Sequence, residues 1–71
     1  MSIWPSTKAN RVLKALLKIG WCVVSQRGSH IKLKHPRFPN AYTWAFHDNE
    51  EIGPKMLSRI AKHTGLTPLD L

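Results

Sequence analysis

Seventy-one residues are enough for one domain and leave no room for a deep, multi-walled active site, so any chemistry must fall to a few groups on an exposed face. Hydrophobic residues make up 42%, too many for a disordered chain, and Cys22 is the only cysteine, so no intrachain disulfide framework exists and a reducing cytoplasm fits. The net charge is +7, and its distribution is sharper than its sum: Lys8, Arg11, Lys14, Lys18, Arg27, Lys32, Lys34 and Arg37 precede His47 with no acidic residue among them. Asp48, Glu50, Glu51 and Asp70 carry all the negative charge. Such a field attracts polyanions by counterion release and points to nucleic acid. No apolar run is long enough to span a bilayer, no secretory signal opens the chain, and the helices lack the wide aromatic-flanked apolar face of an interfacial helix, so a membrane partner is not expected.

The first predicted element is a helix with Ser6 or Thr7 as N-cap. Ala9, Val12, Leu13, Leu16 and Leu17 form its apolar stripe, Lys8, Arg11, Lys14 and Lys18 lie off it, and Gly20 ends it. Residues 21–27 read as a strand, Gly28-Ser29 as a tight turn, and residues 30–35 as a second strand in strict alternation. Ile31 and Leu33 take one face of that strand, and His30, Lys32 and Lys34 take the other. After a proline-bearing loop at 36–40, residues 41–47 read as a third, aromatic strand. Tyr42, Trp44 and Phe46 are assigned to its buried face, and Thr43, Ala45 and His47 to the face shared with His30.

A second helix opens at Gly53-Pro54, with Ile52 stapled to Leu57. Leu57, Ile60, Ala61 and Thr64 form its buried side, Gly65 stops it, and Thr67–Asp70 opens a further helical turn. The order predicts an α+β fold: a helix, a three-stranded antiparallel sheet and a second helix, with both helices on one face of the sheet. The other face is left open, carrying His30, Lys32 and Lys34.

A histidine between cations on an open face suits RNA chemistry. Imidazole exchanges protons near neutral pH, ammonium groups hold phosphate oxygens, and RNA brings its own nucleophile in the 2′-hydroxyl, so neither a metal nor another cofactor is required. Backbone N–H groups of the Gly28-Ser29 turn, and the Ser29 hydroxyl, can add to a phosphate site. Arg27, Gly28, Ser29, Lys32 and Lys34 are the candidate RNA contacts, and His30 the candidate proton carrier. A zinc set of Cys22, His30, His35 and His47 matches no known ligand spacing. Cys22 is read as a small core or semi-buried residue, and Trp21, Trp44 and Phe46 as core before base-stacking platforms. His35 is left as a loop cap or a phosphate contact.

Gly20-Trp21, Arg27-Gly28-Ser29-His30 and Lys34-His35-Pro36 together resemble the core signature of the HicA toxins, small RNA-cleaving toxins of bacterial and archaeal toxin–antitoxin pairs. Phe46-His47, Gly53-Pro54 and the run Leu57–Leu66 are similar to the family's C-terminal half. The resemblance runs from about Thr7 to Leu69 and treats the chain as a single HicA-like domain over residues 1–71, with residues 1–6 as an N-terminal extension. It implies a double-stranded-RNA-binding-domain-like fold, mRNA as substrate, the histidine of the Gly-Ser-His turn (His30 here) as the catalytic residue, and a HicB-type antitoxin covering the active face. Where many relatives carry a Pro-His-type stretch after the third strand, this chain has Ala45-Phe46-His47-Asp48. A non-catalytic RNA-binding module of the same fold is the alternative. A helix-turn-helix reader is disfavoured because the two helices are separated by strands rather than by a short turn.

Overall fold

The computed structural model describes residues 3–71, so Met1 and Ser2 of the expected extension lie outside the described residues. The elements run β1 (Thr7–Lys8), α1 (Ala9–Lys18), β2 (Cys22–Arg27), β3 (His30–Lys34), β4 (Tyr42–Trp44), β5 (Glu51–Ile52), α2 (Pro54–Thr64) and a 3₁₀ turn (Pro68–Asp70). The principal sheet is antiparallel in the order β2-β3-β4. The fold is therefore the expected α+β arrangement of two helices and a three-stranded sheet, as in double-stranded-RNA-binding domains.

The start of α1 differs from expectation. Neither Ser6 nor Thr7 caps it: Lys8 occupies the N-cap position and no side chain caps the helix. Thr7–Lys8 instead pairs antiparallel with Glu51–Ile52. Two of the helix's orphan amides are satisfied by backbone from far along the chain, Ala9 N–H donating to the Glu50 carbonyl (2.8 Å) and Asn10 N–H to the Asp48 carbonyl (3.1 Å). Main-chain groups meeting across forty residues leave no local residue pattern to read.

The end of α1 is a Schellman motif. Trp21 N–H donates to the Leu16 carbonyl (3.1 Å) and Gly20 N–H to the Leu17 carbonyl (3.2 Å). Gly20 has φ +113°, a region closed to most side chains. The motif drops Trp21 into the core beside Leu16, both essentially without solvent exposure. Ala9, Val12, Ala15 and Leu16 are the buried stripe of α1. Leu17, expected on that stripe, is 42% exposed.

Leu33 and Trp44 from the sheet, Ile52, and Leu57, Ile60 and Leu66 from α2 and its exit complete the core. Ile52 and Leu57 are both buried, as a staple requires. Trp21 Nε1–H donates to the Thr64 carbonyl (3.1 Å), tying the start of the sheet to the end of α2. β4 is shorter than the expected 41–47 because the chain leaves the ladder after Trp44. Phe46 then folds its ring back to 4.9 Å from Trp44, and residues 47–50 turn to meet α1.

Candidate RNA-cleavage face

The hairpin between β2 and β3 is set by its glycine. Arg27 pairs with His30 across the two-residue loop Gly28-Ser29, where Gly28 has φ +61° and Ser29 a negative φ, the pattern of a type II′ turn. A Cβ at Gly28 would meet nothing within 4 Å, so conformation and not space demands glycine there. The turn fixes His30 as the first residue of β3 and, by alternation, sets Lys32 and Lys34 on the same face about 7 Å apart.

Cross-strand register brings Arg27 beside His30, Ser25 and Thr43 beside Lys32, and Cys22 beside Lys34. Every one of these residues is exposed, and no acidic residue lies on β2, β3 or β4. The face is thus a basic strip with one imidazole at its hairpin end. Cys22, expected in the core or half-buried, is exposed on this face: its register puts it beside Lys34, and every residue of β2 is exposed. A bulge between Val23 and Ser25 breaks the ladder there, a common device against edge-to-edge pairing.

His35 does not join the strip. Its Nδ1 accepts from Arg37 N–H (3.0 Å) and its Nε2 lies 3.0 Å from the Ile19 carbonyl. An acceptor Nδ1 requires the proton on Nε2, which therefore donates to Ile19. The ring also packs 5.4 Å from Trp21 and 5.2 Å from Phe38. His35 is a structural pin between the end of α1 and the 35–38 loop, and its Nε2 would lie 2.6 Å from a Cβ placed at Gly20. Gly20→Ala combines that clash with a forbidden φ. We expect it to cost at least about 1 kcal/mol, read as a Tm lowered by roughly 4–8 °C. An unchanged Tm would show that neither the His35 contact nor the φ at residue 20 demands glycine there.

His47 lies beyond the end of β4 and shares no strand pairing with His30. It leaves the sheet, its N–H donating to Glu50 Oε1 (3.3 Å) while its carbonyl accepts from Glu50 N–H (2.9 Å). Its groove, shared with Ser29, Ile31 and Phe46, lies at the hairpin end beside the start of α1. The fourth histidine, His63, stacks on Tyr42 (6.2 Å), whose hydroxyl pKa is raised by burial. Among the described residues no group of three or more His, Cys, Asp or Glu side chains is placed to share a metal ion. No helix among them is long and apolar enough to cross a membrane. Trp21 and Trp44 are buried and Phe46 half-buried against the core, so these aromatics pack before they stack on bases.

The sequence profile of the family described as "HicA toxin of bacterial toxin-antitoxin" matches residues 9–66. The chain belongs to the HicA toxin family. The match spans α1, the whole hairpin and α2, so the Gly28-Ser29-His30 turn and the basic strip lie within the HicA region. Membership makes the chain a toxin of a toxin–antitoxin pair, a family whose members cleave mRNA, and implies an antitoxin as partner. No curated protein matches the chain.

Proposed function

We propose that this HicA-family chain is an mRNA-cleaving endoribonuclease that works without a metal ion, with His30 as its catalytic residue. The observation that carries the reading is the register of the hairpin. It supports a site in which an exposed imidazole stands between Arg27 and the paired lysines of a strip free of acids. In the reaction the 2′-oxygen bonds to phosphorus and the bond from phosphorus to the 5′-oxygen breaks. The proton of the 2′-hydroxyl leaves and the 5′-oxygen gains one. His30 takes the first proton as imidazole or delivers the second as imidazolium. Arg27, Lys32 and Lys34, with the N–H groups of Gly28 and Ser29, hold the phosphate and stabilise the charge that builds on it. The protein acts in the cytoplasm, and a HicB-type antitoxin masks the same basic face.

The products test the chemistry. Cleavage should leave 2′,3′-cyclic phosphate and 5′-hydroxyl ends and should persist in EDTA. Chelator-sensitive cleavage giving 5′-phosphate ends would reject this mechanism. Phosphate contact is tested separately by binding of a non-cleavable 2′-deoxy or 2′-O-methyl oligonucleotide. Lys32→Ala and Lys34→Ala should each weaken binding to all sequences alike and reduce the slope of log K against log salt by about 1. Unchanged slopes in both variants would remove the lysines from the phosphate site. RNA binding with intact slopes and no cleavage under any condition would leave a passive RNA-binding module.

A further inference from the structure

A groove of about 320 Å³ lies at the hairpin end, bordered by Ile31 on the face of β3 opposite the basic strip. Its floor is Ile31 and Phe46, both half-buried, with the Phe46 ring braced 4.9 Å from buried Trp44. Gln26, whose Nε2 donates to the Gly28 carbonyl (3.4 Å), and Ser29, His47, Asp48 and Asn49 complete its lining. The rim is held in place from behind, because the Asp48 carbonyl accepts from Asn10 N–H at the start of α1 and the His47–Glu50 turn is closed by hydrogen bonds. The side chains of Ser29, Asp48 and Asn49, by contrast, spend no hydrogen bond or ion pair on other described residues. The volume is at the small end of ligand clefts, which run roughly 300–1,000 Å³.

We infer that this groove seats one unpaired nucleobase of the RNA next to the phosphate held at His30, and that Asp48 selects bases carrying an amino group. The inference rests on the RNA-cleaving reading above. Position supports it first. Ser29 and Ile31, the two neighbours of His30 in the chain, both border the groove, so phosphate site and groove share one turn of backbone. The ladder ends at Ile31↔Trp44, one residue before His30, and the next residue after β4, Ala45, is small and exposed.

Chemistry supports it second. Single-stranded RNA is read by splaying a base onto an aromatic or apolar surface and hydrogen-bonding its edge, and this groove offers a ring, an aliphatic side chain and a polar rim. A carboxylate at the rim of an otherwise basic site repels phosphate, so the groove suits the base and the strip suits the backbone. Asp48 can only accept hydrogen bonds when ionised. Adenine, cytosine and guanine each present an amino group to it, whereas uracil presents carbonyl oxygens on either side of one N–H and is repelled.

The test uses the full chain carrying His30→Ala, which binds without cutting, and short single-stranded RNAs followed by fluorescence anisotropy. An all-uridine oligomer is compared with oligomers of equal length carrying one adenosine, cytidine or guanosine. The amino-bearing oligomers should bind roughly tenfold tighter, and adding Asp48→Asn should bring all four to within about twofold while affinity for the all-uridine oligomer holds or rises. Phe46→Leu, verified as folded by circular dichroism, should weaken binding of every oligomer. Equal binding of all four by the parent protein, or a preference that survives Asp48→Asn, overturns the groove assignment, and failure to bind any RNA overturns it together with the RNA reading. If the preference is present and depends on Asp48 but wild type cuts no RNA, the groove stands and the proposed cleavage falls.

Discussion

His30→Ala should yield a folded protein that neither arrests growth nor cuts RNA. The two halves of that result have separate physical causes. His30 is exposed at the start of β3 and its side chain makes no hydrogen bond or ring contact with the other described residues. Truncating such a residue shifts stability by no more than about 0.5 kcal/mol, so circular dichroism and Tm should match wild type. A positioned acid or base contributes about 10²–10⁴-fold to rate, so cleavage should fall at least a hundredfold in vitro, and induction in a host without the antitoxin should no longer stop growth. His35→Ala is the contrasting control. It removes a ring bonded to Ile19 and Arg37 and packed on Trp21, so it should lower Tm, with any loss of activity following the loss of folded protein. If His30→Ala cuts RNA within a few-fold of wild type, the proton carrier is elsewhere and the strip is only a binding surface.

The contrast between these two histidines shows what the sequence makes legible. Strict alternation from His30 to Lys34 after Gly28-Ser29 puts the imidazole and both lysines on one face whatever the rest of the chain does, because a period of two is a property of the strand itself. The Gly20 stop, the Ile52–Leu57 staple and the Pro54 start are equally local, and all three stand as read. What was not legible depends on contacts between distant segments. The cap of α1 comes from the carbonyls of Asp48 and Glu50, so Ser6 and Thr7, good caps by type, are not used. His35 sits in a Lys-His-Pro context that suits a phosphate ligand as well as a loop, and only the approach of Ile19 decides it. Cys22 looks like core by composition, and its exposure goes with its register beside Lys34 on a strand exposed throughout, a fact about pairing between strands. His47 falls on the expected open face only if β4 runs its full predicted length. Instead β4 ends at Trp44, and the Phe46 ring packs 4.9 Å from Trp44.

Trp21→Ala should be the most damaging single change to the fold. The ring lies 5.1 Å from Phe38, 5.4 Å from His35 and 6.4 Å from Tyr42, so one side chain joins the 35–38 loop to β4. Its Nε1–H bond to the Thr64 carbonyl adds the end of α2. Truncating a buried tryptophan costs about 3–5 kcal/mol. Small domains sit at the low end of the usual stability range of about 5–15 kcal/mol, so Trp21→Ala should be largely unfolded at 37 °C. Trp21→Phe separates packing from hydrogen bonding. It keeps most of the ring but leaves the Thr64 carbonyl without its partner, at about 1–3 kcal/mol, enough to lower Tm by roughly 4–8 °C per kcal/mol. Because Trp21 is buried and lies off the basic strip, Trp21→Phe should cut RNA at the wild-type rate per folded molecule below its Tm and lose toxicity only as temperature rises. His30→Ala should instead be inactive at every temperature at which it is folded. Thermal melts run beside cleavage assays at two temperatures separate these behaviours. A Trp21→Phe protein that is fully folded yet catalytically dead would show that the core reaches the hairpin site in a way that its surface exposure does not suggest.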